Sequence, residues 1–203
     1  MKHHPYAGIA PRLPEGERLD PGTLVSGASG PVELEIGSGR GGFVFERLAT
    51  DPTLRLIGLE IRLKWATIVD QRLRAQGLGE RGRVFAEDAR RGVTRFTEAS
   101  IANVFLHFPD PWWKKRHHKR LVLGVPLLSE LGRVLRPGGQ LFIQTDVEER
   151  AALYESLFFG RTDFTHRGPS PRLDLNPFGA RSPREHRSIA DGLPIYRLCY
   201  ERR

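Results

Sequence analysis

VELEIGSGRGG, residues 32–42, opens on a short apolar-rich run and breaks into glycines at residue 37. The run reads as a strand, Val32–Ile36, and FVFERLA beyond the glycines reads as a helix. A strand passing through a sharp glycine turn into a helix is the opening unit of an open α/β sheet. Gly37, Gly39 and Gly42 fit the G-x-G-x-x-G spacing of a dinucleotide site, while Gly37, Gly39 and Gly41 fit the G-x-G-x-G turn of a methyl-donor site. Both need glycine for one reason: the chain turns sharply, and a Cβ would hold the ligand off the backbone. The same spacing also describes a tight strand-to-helix turn that binds nothing.

The rhythm continues to either side. LRLIGLE (Leu54–Glu60) reads as a second strand, followed by RLKWATIVDQRLRAQ, whose Leu63, Ala66, Val69 and Leu73 fall at helical spacing. RVFAED (Arg83–Asp88) and IANVFLHF (Ile101–Phe108) read as the third and fourth strands. LLSELGRVL (Leu127–Leu135) is a helix ended by a Pro137-Gly138-Gly139 turn, and QLFIQT (Gln140–Thr145) is a fifth strand with VEERAALYESL as a helix after it. Residues 160–187 form a proline-containing, loop-rich stretch, and IYRLCYERR closes the chain as an antiparallel strand. Strands alternating with helices imply a mostly parallel sheet covered on both faces. Residues 1–31, rich in Pro and Gly, read as a loosely ordered arm, and 32–203 as one domain without internal repeats.

With 203 residues, 39% hydrophobic and 28% charged, the chain is long enough to bury a core and reads as soluble and globular. It carries no long apolar run of the kind a membrane span needs and no signal-peptide core, so no membrane partner is expected. Cys199 is the sole cysteine, which excludes disulfides within the chain and Cys-based metal clusters and favours a cytoplasmic home. A formal net charge of +8 favours polyanionic partners, nucleic acid first.

Three acids fall at three successive strand ends: Glu35, Glu60 and Asp88. Open α/β sheets bind ligands in the crevice at those ends, where a carboxylate after the second strand can accept both ribose hydroxyls and one after the third can meet an adenine amine. The acids therefore favour a nucleoside ligand. HFPDPWWKKRHHKR (His107–Arg120) follows the fourth strand and puts Asp110 at the same crevice. Its prolines stiffen the turn, its tryptophans offer an aromatic wall, and five Lys and Arg side chains with two histidines lie just beyond. His117 and His118 without a third ligand make no metal site, and no metal is expected.

The combination LEIGSGRG, GLEIR, EDA, FPDPWWKKRHHKR, LRPGG and QTD, in this order, resembles the bacterial tRNA (guanine-N7)-methyltransferase family from Val32 to the end. FPDPW followed by the basic run is the most specific of these elements. The resemblance implies a Rossmann-like class I methyltransferase fold. It also implies S-adenosylmethionine as methyl donor, S-adenosylhomocysteine as product, and a guanosine in the tRNA variable loop as acceptor. It puts donor contacts on Glu35, Gly37, Gly39, Glu60, Asp88 and Asp110, with Asp110 also the expected catalytic residue. Substrate contacts fall on Lys114 and Asp146 and on the Ser182-Pro183-Arg184-Glu185 element, where serine stands in place of the family's threonine. RNA contacts fall on Lys115, Arg116, His117, His118, Lys119 and Arg120. Local chemistry offers its own reading of two of these elements: Asp146 with Glu149 fits a helix-capping pair, and Ser182 with Glu185 a capping box with Pro183 at the first helical position. The rival functions are methyl transfer to another RNA base or a small amine, and a non-catalytic RNA-binding module. A monomer or homodimer is expected.

Overall fold

The computed structural model describes residues 4–110 and 121–203. Seven strands, β1 (Val32–Ile36), β2 (Arg55–Leu59), β3 (Gly82–Phe85), β4 (Ile101–His107), β5 (Leu135–Thr145), β6 (Phe164–Thr165) and β7 (Tyr196–Arg202), make one sheet in the order β3-β2-β1-β4-β5-β7-β6. β1 to β5 run parallel, and β7 lies antiparallel between β5 and β6. The helices are α1 (Pro21–Leu24), α2 (Gly42–Thr50), α3 (Leu63–Ala75), α4 (Ala89–Gly92), α5 (Val125–Val134), α6 (Glu148–Leu157) and α7 (Pro183–Ala190). This is the Rossmann-like class I methyltransferase architecture that the sequence leads one to expect, with its antiparallel C-terminal strand.

Successive strand residues point to opposite faces, and β1 sorts its side chains accordingly. Val32, Leu34 and Ile36 join Ile57, Leu59, Val104, Leu106, Leu141 and Ile143 in an apolar face packed by Leu127, Leu128 and Leu131 of α5. On the other face Leu56, Phe105 and Phe142 pack against Phe43, Val44 and Leu48 of α2 and Val69 and Leu73 of α3. That second face also carries the buried acids of β1. Glu33 is held by two hydrogen bonds of 2.8 Å from Arg47 of α2 and one of 2.7 Å from Asn103 of β4. Such a fork satisfies a carboxylate that could not otherwise be buried.

The structure departs from the sequence reading in several places. β5 begins at Leu135, which pairs with Ile101, so the Pro-Gly-Gly turn is a bulge inside a strand span rather than a break before it. Gly138 takes φ +76°, and a Cβ on Gly139 would stand 2.7 Å from the Ala102 carbonyl oxygen, so the bulge needs both glycines. The stretch 160–187 contains β6, not read from the sequence as an element, and the first turn of α7, which starts at Pro183 as the Ser182–Glu185 capping box implies. In the N-terminal segment, the amide of Ala86 donates to Pro11 and that of Thr97 to Leu19, and Leu13 and Val25 are buried.

On α7, Ser182 accepts from the Glu185 amide at 3.2 Å, as a capping box requires. The Glu185 carboxylate does not turn back to the cap. It is fully buried and bonded by Arg197 of β7 through two contacts of 3.0 Å and by Asn176 at 2.8 Å. Removing one partner of a buried pair leaves the other charged group without compensation. Glu185→Ala should therefore lower the unfolding free energy by about 3–5 kcal/mol in urea titration, with an unchanged denaturant slope.

Candidate active site

β1 ends at Ile36, and the next residue must leave the sheet and start α2 within five positions. Gly37 does so with φ +79°, its amide donating to Leu59 of β2 at 2.8 Å. A Cβ there would meet nothing within 4 Å, so its conformation demands glycine and the space beside it stays open. Gly41 also has φ +79°, and a Cβ would stand 2.5 Å from Val69 Cγ1, so the turn is closed down against α3.

The open side of Gly37 belongs to a cavity of about 420 Å³ at the carboxyl ends of β1, β2 and β4. That volume lies within the range of small-molecule sites. Ile36, Leu59, Ile61, Leu106 and Val122 give it apolar walls, and Glu60, Asp88 and Asp110 give it three carboxylates. Ile61 is 64% exposed, an aliphatic side chain beside the Glu60 carboxylate with no apolar cover of its own.

Each acid has a definite setting. Glu60 is buried, with Oε2 accepting from the Gly39 amide at 2.8 Å and Oε1 from the amide of Arg62 at 2.9 Å and its Nε at 3.1 Å. Gly39 thus touches the site through Glu60 rather than lining the cavity. A carboxylate offers about four lone-pair sites, so three bonds leave room for a further donor. Asp88 caps α4 through the Arg90 amide at 3.0 Å and pairs with the Arg90 guanidinium at 2.6 Å. The Arg90 hydrogen bond holds its carboxyl below the usual carboxylate range against the opposing effect of partial burial. Asp110 is exposed at the rim. It follows Phe108, whose φ of +44° lies in the left-handed region although it is not glycine. Backbone strain of that kind clusters where a chain must deliver a functional group.

Glu35 is placed differently from the sequence expectation that it lines the crevice with the other acids. It lies on the alternate face of β1, behind Ile36 and outside the cavity lining, because the pleat sends successive side chains to opposite sides. Its Oε1 lies 3.1 Å from His107 Nδ1. His107 was not singled out from the sequence, although a polar residue inside the apolar run IANVFLHF marked it. Asp146 also departs from expectation. The N-cap of α6 is Val147, and Asp146 instead pairs with Arg184 at the start of α7. Arg184 and Pro183 are exposed at the start of α7, where a Cβ on Gly42 would strike Pro183, with Asp146 half-buried against Arg184 and Ser182 and Glu185 buried. Lys114, Lys115, Arg116, His117, His118, Lys119 and Arg120 lie outside the described residues. Among the described residues no three His, Cys, Asp or Glu side chains converge to hold a metal ion, and no helix is long and apolar enough to cross a membrane.

A family model described as a putative methyltransferase matches residues 29–197. A tRNA (guanine-N(7)-)-methyltransferase of Myxococcus xanthus (strain DK1622) is 39% identical over 176 residues, 84% of this chain and 83% of that protein. One of Synechococcus sp. (strain JA-3-3Ab) is 35% identical over 173 residues, 85% of this chain and 73% of that protein. In fold, the chain is similar to the crystal structure of TrmN from Thermus thermophilus, with a TM-score of 0.60 at 18% identity over 90% of this chain and 47% of that one. Similarity of that extent to relatives of one description, over most of their length, makes this chain a member of the tRNA (guanine-N(7)-)-methyltransferase family.

Proposed function

We propose that the protein transfers a methyl group from S-adenosylmethionine to N7 of a guanosine in the variable loop of tRNA. The observation that carries the donor half is the cavity itself, apolar on its walls and rimmed by Gly37, Glu60, Asp88 and Asp110. Family membership carries the choice of acceptor. The tRNA substrate puts the working protein in the cytoplasm.

The residues present fit the donor. The uncovered turn at Gly37 admits a ligand to the backbone, and the remaining lone-pair capacity of Glu60 suits a ribose hydroxyl. Ile61 and the apolar walls suit the flat face of adenine, with Asp88 kept ionised by Arg90 to meet its amine. When bound, the donor supplies a methyl group already activated by its sulfonium. Guanine N7 presents an in-plane lone pair and needs no base to free it. The chain then has one main task, to hold the guanine so that N7 lies in line, and such orientation supplies several kcal/mol of a barrier. Asp110, at the rim and carried out by the strained Phe108, accepts from the Watson–Crick edge of the guanine. Asp146, Arg184 and Lys114 contact the acceptor nucleotide. The basic run from Lys115 to Arg120 grips phosphates, and an unpaired loop base is reached by shape rather than by groove reading.

The direct test is incubation with labelled S-adenosylmethionine and unmodified tRNA, followed by cleavage at 7-methylguanosine. A single labelled cleavage in the variable loop is expected; label on any other atom overturns the assignment.

Asp110→Ala should nearly abolish transfer in single-turnover reactions at saturating donor and tRNA, while tRNA affinity holds, because phosphate contacts carry most of that affinity. Asp110→Asn, which keeps one acceptor, should retain more activity than the alanine variant and stay well below the parent. A parent-like rate in Asp110→Ala removes this carboxylate from the reaction.

Neutralising Lys115, Arg116, Lys119 and Arg120 together should weaken tRNA binding and flatten its salt dependence. Each lost phosphate contact should reduce the slope of log affinity against log salt by about 0.7–0.9. Donor affinity, read by calorimetry, should stay at the parent value.

A further inference from the structure

The face of the sheet beneath α2 holds a buried pair that the proposed reaction has not yet used. Glu35 of β1 and His107 of β4 meet at 3.1 Å with side chains only 3% and 4% exposed. Glu35 Oε2 and His107 Nε2 are both buried and have no hydrogen-bond partner among the described residues. A carboxylate oxygen accepts, so the bond between them is Nδ1–H donating to Glu35 Oε1, and the outer atom of each group is left over. Glu35 Oε2 thus lies buried with no donor to it among the described residues.

Packing does not explain the pair. The His107 ring sits in an aromatic cage, 4.3 Å from Phe43, 5.7 Å from Phe105 and 6.2 Å from Phe142 between ring centroids. A phenylalanine would suit that cage without desolvating a polar ring. Buried groups left unpaired in a ligand-free structure point to a ligand or an ordered water. The position narrows the choice. Glu35 lies just behind the lining, but its partner His107 and Gly37 both line the cavity, and Gly37 has open space where a side chain would stand. The missing partner must bring a hydrogen-bond donor to a carboxylate, and a cationic donor suits it best. Of the two cationic groups on S-adenosylmethionine the sulfonium has no N–H, and the α-ammonium has three.

We propose that His107 is a positioning residue for the methyl donor: its Nδ1–H holds Glu35 so that the second carboxylate oxygen accepts from the donor's α-ammonium. The inference rests on the donor reading above and adds to it the residue that aims Glu35. The imidazole serves by the bond it makes to Glu35, so the property to remove is that N–H and not the ring.

The test is calorimetry with two ligands, S-adenosylhomocysteine, which has the amino-acid tail, and 5′-methylthioadenosine, which lacks it. His107→Phe fills the cage and deletes the N–H. It should weaken S-adenosylhomocysteine by about tenfold or more, the loss of a hydrogen bond to a charged group, and leave 5′-methylthioadenosine unchanged. His107→Asn keeps an N–H near the position of Nδ1 and should recover most of the loss. Unchanged methylthioadenosine affinity also certifies that the variant is folded around the cavity. Equal weakening of both ligands means a structural role and overturns the proposal, as does no weakening of either, the result expected if an ordered water satisfies the pair. If the parent binds neither ligand, the donor reading itself fails, and this inference with it.

Discussion

β1 is the central constraint of this molecule. It lies between β2 and β4, all five of its residues are buried, and two of the five are glutamates. A carboxylate in such a place is tolerated only if other parts of the chain come to it. Arg47 and Asn103 come to Glu33, which ties α2 and β4 to the strand, and Arg47 also donates to the Phe178 carbonyl in the long connection before α7. Farther along the same sheet, Glu185 and Arg197 join α7 to β7. The partners lie 14, 70 and 12 residues apart in sequence, so the polar contacts of this face define long-range neighbours rather than local turns.

The opposite face is mainly apolar. Aliphatic and aromatic side chains dominate its centre from β2 to β7, and α5 presents leucines to it. This asymmetry explains where the cavity forms. The apolar face supplies a dry wall of Ile36, Leu59 and Leu106, and the strand ends add carboxylates only where each strand gives way to a loop. Glu60, Asp88 and Asp110 owe their convergence to three parallel strands ending at one level. No two of them are close in sequence.

Much of this was legible beforehand. Val32–Ile36 has the limits its sequence implies, and the mostly parallel sheet, though not its strand order, follows from alternation of strand and helix. The glycine turn and the acids at the ends of β2 and β3 were read from spacing. Other features turned on information that spacing does not hold. Which face Glu35 occupies depends on where the pleat is cut by the turn, and its imidazole partner is 72 residues away. Asp146 offered a plausible local cap, but Arg184, 38 residues on, competed for it and won with a charged partner. The bulge at Pro137–Gly139 was read as a turn because proline and glycine mark both, and only the pairing of Leu135 with Ile101 distinguishes them. β6 is two residues long and exists only because β7 is there to pair with it.

The ends of the sheet have a consequence for life at high protein concentration. An exposed strand edge is a template for pairing with another molecule, and chains that aggregate commonly do so through such edges. Here one border is β6, too short to recruit a neighbour, and the other is β3, four residues long. The N-terminal segment bonds to the chain on both sides of β3, at Glu80 through Gly27 and at Ala86 through Pro11. It therefore guards the longer of two unprotected borders. Trimming it would bare the Glu80 carbonyl and the Ala86 amide beside that border, groups with which a second molecule could pair.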